Sequence, residues 1–257
     1  MSYKQTGKCI WCGKQEPDVS FNTAPHILPR RLGGTEIGVD VCDECNHYFG
    51  TSKQVGKPCM DHAFKEVFGA FRMFTSHLGP ESYKKFSSAY FSYHHKDHLI
   101  KIKSNFNSQA VTRQFKRSLY EVFLQKYHQV TGDGNNPAFA MVRDFARYDI
   151  GNPHVLYAFN NIILSPDEKG IEHPSLPMSQ KLIDDMFESG FFNFWLMGHN
   201  FYLEIFPVIA NVKGYSYIRH EANHTLIMAH GNEGIYEFND IRQIDFFMQR
   251  FNSGLLN

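Results

Sequence analysis

The chain has 257 residues, 42% of them hydrophobic and 20% charged, with 26 basic residues against 26 acidic ones. No apolar run approaches the roughly 20 residues of a membrane helix, so a helical membrane protein is excluded and a soluble globular chain of one to three domains is expected. The neutral total conceals an asymmetry: residues 1–130 carry a net charge of +7 and residues 131–257 a net charge of −7, which directs any polyanion to the first half.

Residues 1–57 are short of apolar periodicity and rich in turns. Cys9 and Cys12 form one Cys-x-x-Cys pair, and Cys42 and Cys45 form another. Four thiolates in this spacing can close one tetrahedral zinc site, and zinc substitutes for a core that so short a segment cannot build. The start, MSYKQTGKC, lacks the apolar stretch of a signal peptide. A cytoplasmic setting is therefore expected, where paired cysteines serve as metal ligands rather than disulfides. The remaining Cys59 reads as a small buried apolar residue. Val19 to Leu32 reads as a strand, a loop and a returning strand, with the turn at Gly33-Gly34. Cys42 to His47 then opens a short helix, and Asp43 and Glu44 suit its positive end.

Residues 58–131 form a helical, basic region. A helix over 58–78 presents Phe64, Val67, Phe68, Phe71 and Phe74 at helical spacing. His98 to Lys103 alternates like a strand. A second helix from Ser108 to His128 buries Phe115, Leu119, Phe123 and Tyr127, and its Arg113, Lys116, Arg117 and Lys126 form either a solvated face or a phosphate-contacting one. The turn at Gly132–Pro137 opens an acidic, aromatic-rich region, 132–257. A helix is expected from Pro137 to Tyr148, and strands at 154–164, 191–196, 200–210, 215–219 and 224–229. Helices at Ser179–Glu188 and Asp240–Phe251 complete an α+β domain with an antiparallel sheet.

The chemistry concentrates between the cysteine pairs. A histidine there, His26, can act as general base on water attacking a phosphodiester. Asn46, beside a zinc-fixed cysteine, would be held rigidly enough to give an oxygen to a hard cation such as magnesium. Arg30 and Arg31 follow closely and suit phosphate oxygens. Two other histidine groups, His94-His95 with His98 and His220 with His224, read as solvated rather than as metal clusters.

The run Cys9-x-x-Cys12, His26-Ile27-Leu28-Pro29, Leu32-Gly33-Gly34 and Cys42-Asp43-Glu44-Cys45-Asn46-His47-Tyr48-Phe49-Gly50 resembles the zinc-bearing HNH endonucleases of the ββα-metal fold. The resemblance covers about residues 9–50. It implies a structural zinc on Cys9, Cys12, Cys42 and Cys45, single-metal DNA hydrolysis with magnesium or manganese, His26 as general base and Asn46 as a cation ligand. Two positions depart from the pattern. Pro25 stands where the family has an acidic cation ligand, and the middle asparagine is missing, leaving Glu36, Asp40 or His47 as substitutes.

The expected function is a metal-dependent endonuclease acting on DNA, with RNA as the alternative polymer and a homodimer as the alternative to a monomer. The competing expectation is a non-catalytic zinc module that grips nucleic acid through its basic half and binds a partner or ligand through residues 132–257.

Overall fold

The computed structural model describes residues 5–52, 58–75, 86–94, 99–159, 174–196, 199–224 and 235–245. Helices and antiparallel sheets are mixed, with a four-cysteine cluster near the N-terminus. Helices α1 (Asp43–Gly50) and α2 (Met60–Thr75) are followed by a hairpin of β1 (Phe91–His94) and β2 (Leu99–Ile102). Then come α3 (Ser108–Thr131), α4 (Ala140–Tyr148), β3 (Val155–Phe159), α5 (Gln180–Ser189), β4 (Phe191–Leu196) and β5 (His199–Glu204). A turn of helix, α6 (Pro207–Ile209), leads through a π-helical segment, Ala210–Gly214, into α7 (Tyr215–His224), and β6 (Tyr236–Glu237) precedes a 3-10 turn at Ile241–Asp245. No helix among the described residues is long and apolar enough to cross a membrane.

α3 is the axis around which the rest packs. The Asn107 side chain accepts from the Ala110 amide at its start, and Gly132, at φ 75°, ends it by returning its N–H to the His128 carbonyl. The expected stripe of Phe115, Leu119 and Phe123 is fully buried. Phe115 meets Phe64 and Phe68 of α2, and Phe201 of β5, while Phe123 meets Phe192 of β4. The larger sheet runs β4-β5-β3-β6, all antiparallel. Strand alternation divides its side chains: Phe192, Phe194, Phe201 and Leu203 enter the main core, while Leu156, Phe191 and Tyr202 face Ala210 and Ile218 behind. The main core runs without a break from Cys9 to Ile244.

Several expected elements are corrected. The strand expected at 200–210 stops at Glu204, because Pro207 starts α6. Residues 215–219 are helix α7 rather than a strand: the run Tyr-Ser-Tyr-Ile has strand propensity, but packing of Ile218 behind the sheet overrides it. The strand and returning strand expected between Val19 and Leu32 shrink to one bridge, His26 with Ile37. Pro25 and Pro29 lack the N–H groups that a ladder needs. The expected elements at 160–164 and 225–229, and residues 246–251 of the last helix, lie outside the described residues, as do the side chains of Phe71 and Phe74.

Three of the four basic residues of α3, Lys116, Arg117 and Lys126, are buried rather than on an open face, and Arg113 is half-exposed. Lys116 and Arg117 are 4% and 3% exposed. Arg117 donates to the Phe145 and Ala146 carbonyls at 3.1 and 2.7 Å, a cation set on the last turn of α4. Lys126 pairs with Glu36, and Arg113 with Asp149 at 2.6 Å.

Asp40 clamps the N-terminal segment to α3. Its carboxylate accepts from the Thr6 and Gly7 amides, the Thr6 hydroxyl and His128 Nε2. His128 Nδ1 accepts from the Gly134 amide, so the ring proton sits on Nε2, aimed at Asp40. Burial opposes ionisation of Asp40, but the donors from Thr6, His128 and Gly7 outweigh it and hold the carboxyl below its ordinary value. A depressed carboxyl stabilises the fold above the unfolded value, about 3.9, and that contribution fades as pH falls through the folded value. Asp40→Ala should cost about 1–3 kcal/mol by leaving these donors unpaired. Urea unfolding at pH 7 and pH 3 should show the variant's deficit shrinking in acid.

Candidate active site

Cys9 and Cys12 lie on a turn closed by hydrogen bonds from Cys9 N to Lys14 O and from Gly13 N to Cys9 O. Cys42 and Cys45 sit at the start of α1. The four sulfurs lie within 4.8 Å of one another. Zinc–sulfur bonds of about 2.3 Å in a tetrahedron set sulfurs about 3.8 Å apart, and Cys12 Sγ and Cys42 Sγ are 3.8 Å apart. Sulfurs this close cannot all ionise without a cation. The hydrogen bond from Cys45 lowers Cys9 to about 5. Burial raises Cys42 to about 11, and the hydrogen bond to Cys9, together with burial, raises Cys45. Two donors oriented at sulfur come from outside the pairs' side chains: the Cys42 amide to Cys9 Sγ at 3.4 Å, and Arg147 Nε of α4 to Cys45 Sγ at 3.2 Å. The donor set and its spacing therefore fit a structural zinc, and Arg147 offsets the excess negative charge of four thiolates on a dication.

The segment between the pairs is folded against this cluster. Gly38 N donates to the Pro25 carbonyl and Ile27 N to the Glu36 carbonyl, which holds His26 in register with Ile37. The 3-10 turn Arg30–Leu32 reverses the chain, with Leu32 buried and both arginines exposed. Gly33, at φ 87°, closes it. A Cβ on Gly34 would lie 2.0 Å from the Leu28 carbonyl oxygen, so the expected glycine turn is required by close approach.

His26 and Asn46, both half-buried, line one open cavity of about 320 Å³, and Arg30 and Arg31 line it too. Asn46 is held by a relay. Asp43 accepts from Ser20, from Asn22 and from both the amide and the hydroxyl of Thr23, bonds that hold its carboxyl below the usual range, Ser20 foremost. The Thr23 hydroxyl donates to Asp43 Oδ1 at 2.7 Å and accepts from Asn46 Nδ2 at 3.1 Å. The Asn46 amide nitrogen is thereby committed, and its oxygen remains as the acceptor.

The substitutes considered for the missing acidic ligand fall elsewhere. Asp40 is committed to the clamp described above, Glu36 pairs with Lys126, and His47 contacts Thr51 just past the end of α1; none of the three lines this cavity. Pro25 does line it, with its carbonyl engaged by Gly38. Two carboxylates that the sequence did not suggest line it instead: Asp61 of α2, paired with Lys65 at 2.5 Å, and Glu121 of α3. Burial, then the charge of Asp61, raises the Glu121 carboxyl well above its ordinary range. No local signal links these positions to His26, since only the docking of α2 and α3 brings them there. Asn46, Asp61 and Glu121 are oxygen donors of the kind a hard cation takes. Among the described residues, the cysteine cluster is the one group of His, Cys, Asp or Glu close enough to hold an ion unaided. Magnesium commonly binds one or two protein carboxylates and completes its shell with waters and substrate phosphate. Of the other histidine groups, His95 and His98 lie outside the described residues, as does the side chain of His224.

Elemental analysis should find one zinc per chain, and Cys45→Ser should lose it together with the folded N-terminal segment. Thr23→Val should release Asn46 while zinc content and melting temperature hold, and should lower any hydrolytic rate by about 10–100-fold.

No curated protein and no solved structure is found to match the chain. Residues 9–55, the segment that holds the cysteine cluster, His26 and Asn46, match a family model described as HNH endonuclease, a match that points to nuclease activity on nucleic acid and to metal binding.

Proposed function

We propose that this chain is a metal-dependent endonuclease that hydrolyses phosphodiester bonds in DNA. The observation that carries the reading is the convergence of His26 and Asn46 on one cavity rimmed by Arg30 and Arg31, beside a cysteine cluster built for zinc. In this scheme His26 takes the proton from the attacking water. Arg30 and Arg31 hold phosphate oxygens, as guanidinium groups do. Asn46 Oδ1, oriented by Thr23 and Asp43, would hold the magnesium or manganese ion together with a carboxylate from Asp61 or Glu121. That ion would neutralise charge developing on the scissile phosphate and leaving oxygen. The same reading puts the protein in the cytoplasm, where thiols stay reduced.

A second reading, a zinc module that binds nucleic acid without cutting it, draws on Pro25, which replaces an acidic ligand and spends its carbonyl on Gly38. The two readings separate in a plasmid-nicking assay with magnesium or manganese. Endonuclease activity predicts nicking that His26→Ala lowers by about 100-fold or more with zinc content unchanged. Intact, zinc-loaded protein that binds DNA and never nicks it would establish the second reading. Under either, Arg30→Ala and Arg31→Ala should each reduce the salt dependence of binding by about one counterion.

A further inference from the structure

A second cavity, of about 630 Å³, adjoins the one that holds His26, and Gly50 and Lys65 line both. Its wall has a different chemistry. Tyr90 and Phe106 stand ring against ring, 4.8 Å apart and tilted by 44°, and His62 meets Tyr90 edge-on at 5.7 Å. Asn105 and Asn107 stand exposed at its edge. Asn107 spends its oxygen on the Ala110 amide as the cap of α3, so what it retains for a ligand is its NH₂ group. Among the described residues, Lys65, paired with Asp61 at 2.5 Å, is the one Lys or Arg in the lining, and no carboxylate lines it.

Aromatic rings, amide groups and, among the described residues, a single cation and no anion are the surroundings that an unpaired base finds in proteins that bind single strands: a ring face to stack on and donors for its edge. The volume lies within the roughly 300–1,000 Å³ of small-molecule pockets. A phosphodiester held at His26 carries a nucleotide on each side, and a cavity sharing Lys65 with that site lies within reach of one of them. A base stacked in a duplex cannot enter such a cavity unless it leaves the stack.

We propose that this second cavity takes an unpaired nucleobase next to the scissile phosphate, with Lys65 on the phosphate between the two sites, so that the preferred substrate is single-stranded or locally unpaired DNA. The proposal rests on the endonuclease reading of the first cavity.

The test is fluorescence anisotropy without added magnesium, using a short labelled single strand, its duplex, and a series of single strands with one abasic site moved along the sequence. The single strand should bind more tightly than the duplex, and one abasic position should weaken binding by about 5- to 100-fold. Phe106→Ala should weaken the intact strand to a similar degree and erase that abasic effect. Asn105→Ala, a change at an exposed residue that leaves the core untouched, should weaken it several-fold, which covers the case of a misfolded Phe106 variant. Binding of duplex as tight as single strand, with no abasic position felt, overturns the base site. Nicking of plasmid by that same protein would leave the endonuclease reading standing. Abasic sensitivity with no cleavage of plasmid or of the labelled single strand in magnesium or manganese removes the endonuclease reading, and with it the scissile phosphate of this proposal, while leaving a cavity that binds an unpaired base.

Discussion

Four sulfurs held within 4.8 Å of one another are unstable as anions and wasteful as thiols, and a bound dication resolves the conflict. The first fifty residues are arranged around that constraint. Cys42 and Cys45 fix the start of α1, which fixes Asn46 one residue later. Asp43, also set by the pair, ties down Ser20, Asn22 and Thr23, and so the approach to Pro25 and His26. The segment's own apolar core is small, Ile10, Trp11, Ile27, Leu28, Leu32, Val41 and Phe49 beside the cysteines, so a metal at the cluster would add to the packing that shapes the cavity.

What the metal does from within, α3 does from without. Its Lys126, His128 and Gln129 each bond to the segment between the cysteine pairs, through Glu36, Asp40 and the Ile37 carbonyl. A buried cation such as Lys126 is costly unless paired, and all three bonds join parts of the chain that are distant in sequence. Three basic residues of the first half, Lys116, Arg117 and Lys126, are internal. Arg30, Arg31 and Lys65 line the cavity and are the cations placed to meet a polyanion there.

The parts legible in the sequence were those with local causes. The cysteine spacing, the glycine turn at Gly33-Gly34 and the position of Asn46 after Cys45 each express a constraint confined to a few residues. The phenylalanine stripes announced α2 and α3 through their period. Tyr215 to Arg219 misled because its residue types favour strands, while the surface that decides its shape, the back of the sheet, belongs to distant residues. Asp61 and Glu121 were silent for the same reason: nothing near Asp61 or Glu121 in sequence says which cavity the helix will face. The charges on α3 were visible, but whether they met solvent or carboxylates depended on how α4 and the N-terminal segment docked.

Arg147 carries a consequence for the order of events on the ribosome. The cysteine pairs leave the exit tunnel long before α4 does, so until α4 follows the cluster lacks the guanidinium that donates to Cys45 and stacks 4.1 Å over Tyr48. The wall supplied by Glu121 is absent at that stage too. A nascent or truncated chain thus has its four cysteines before it has a finished cleft, which is complete only once the central helices are made.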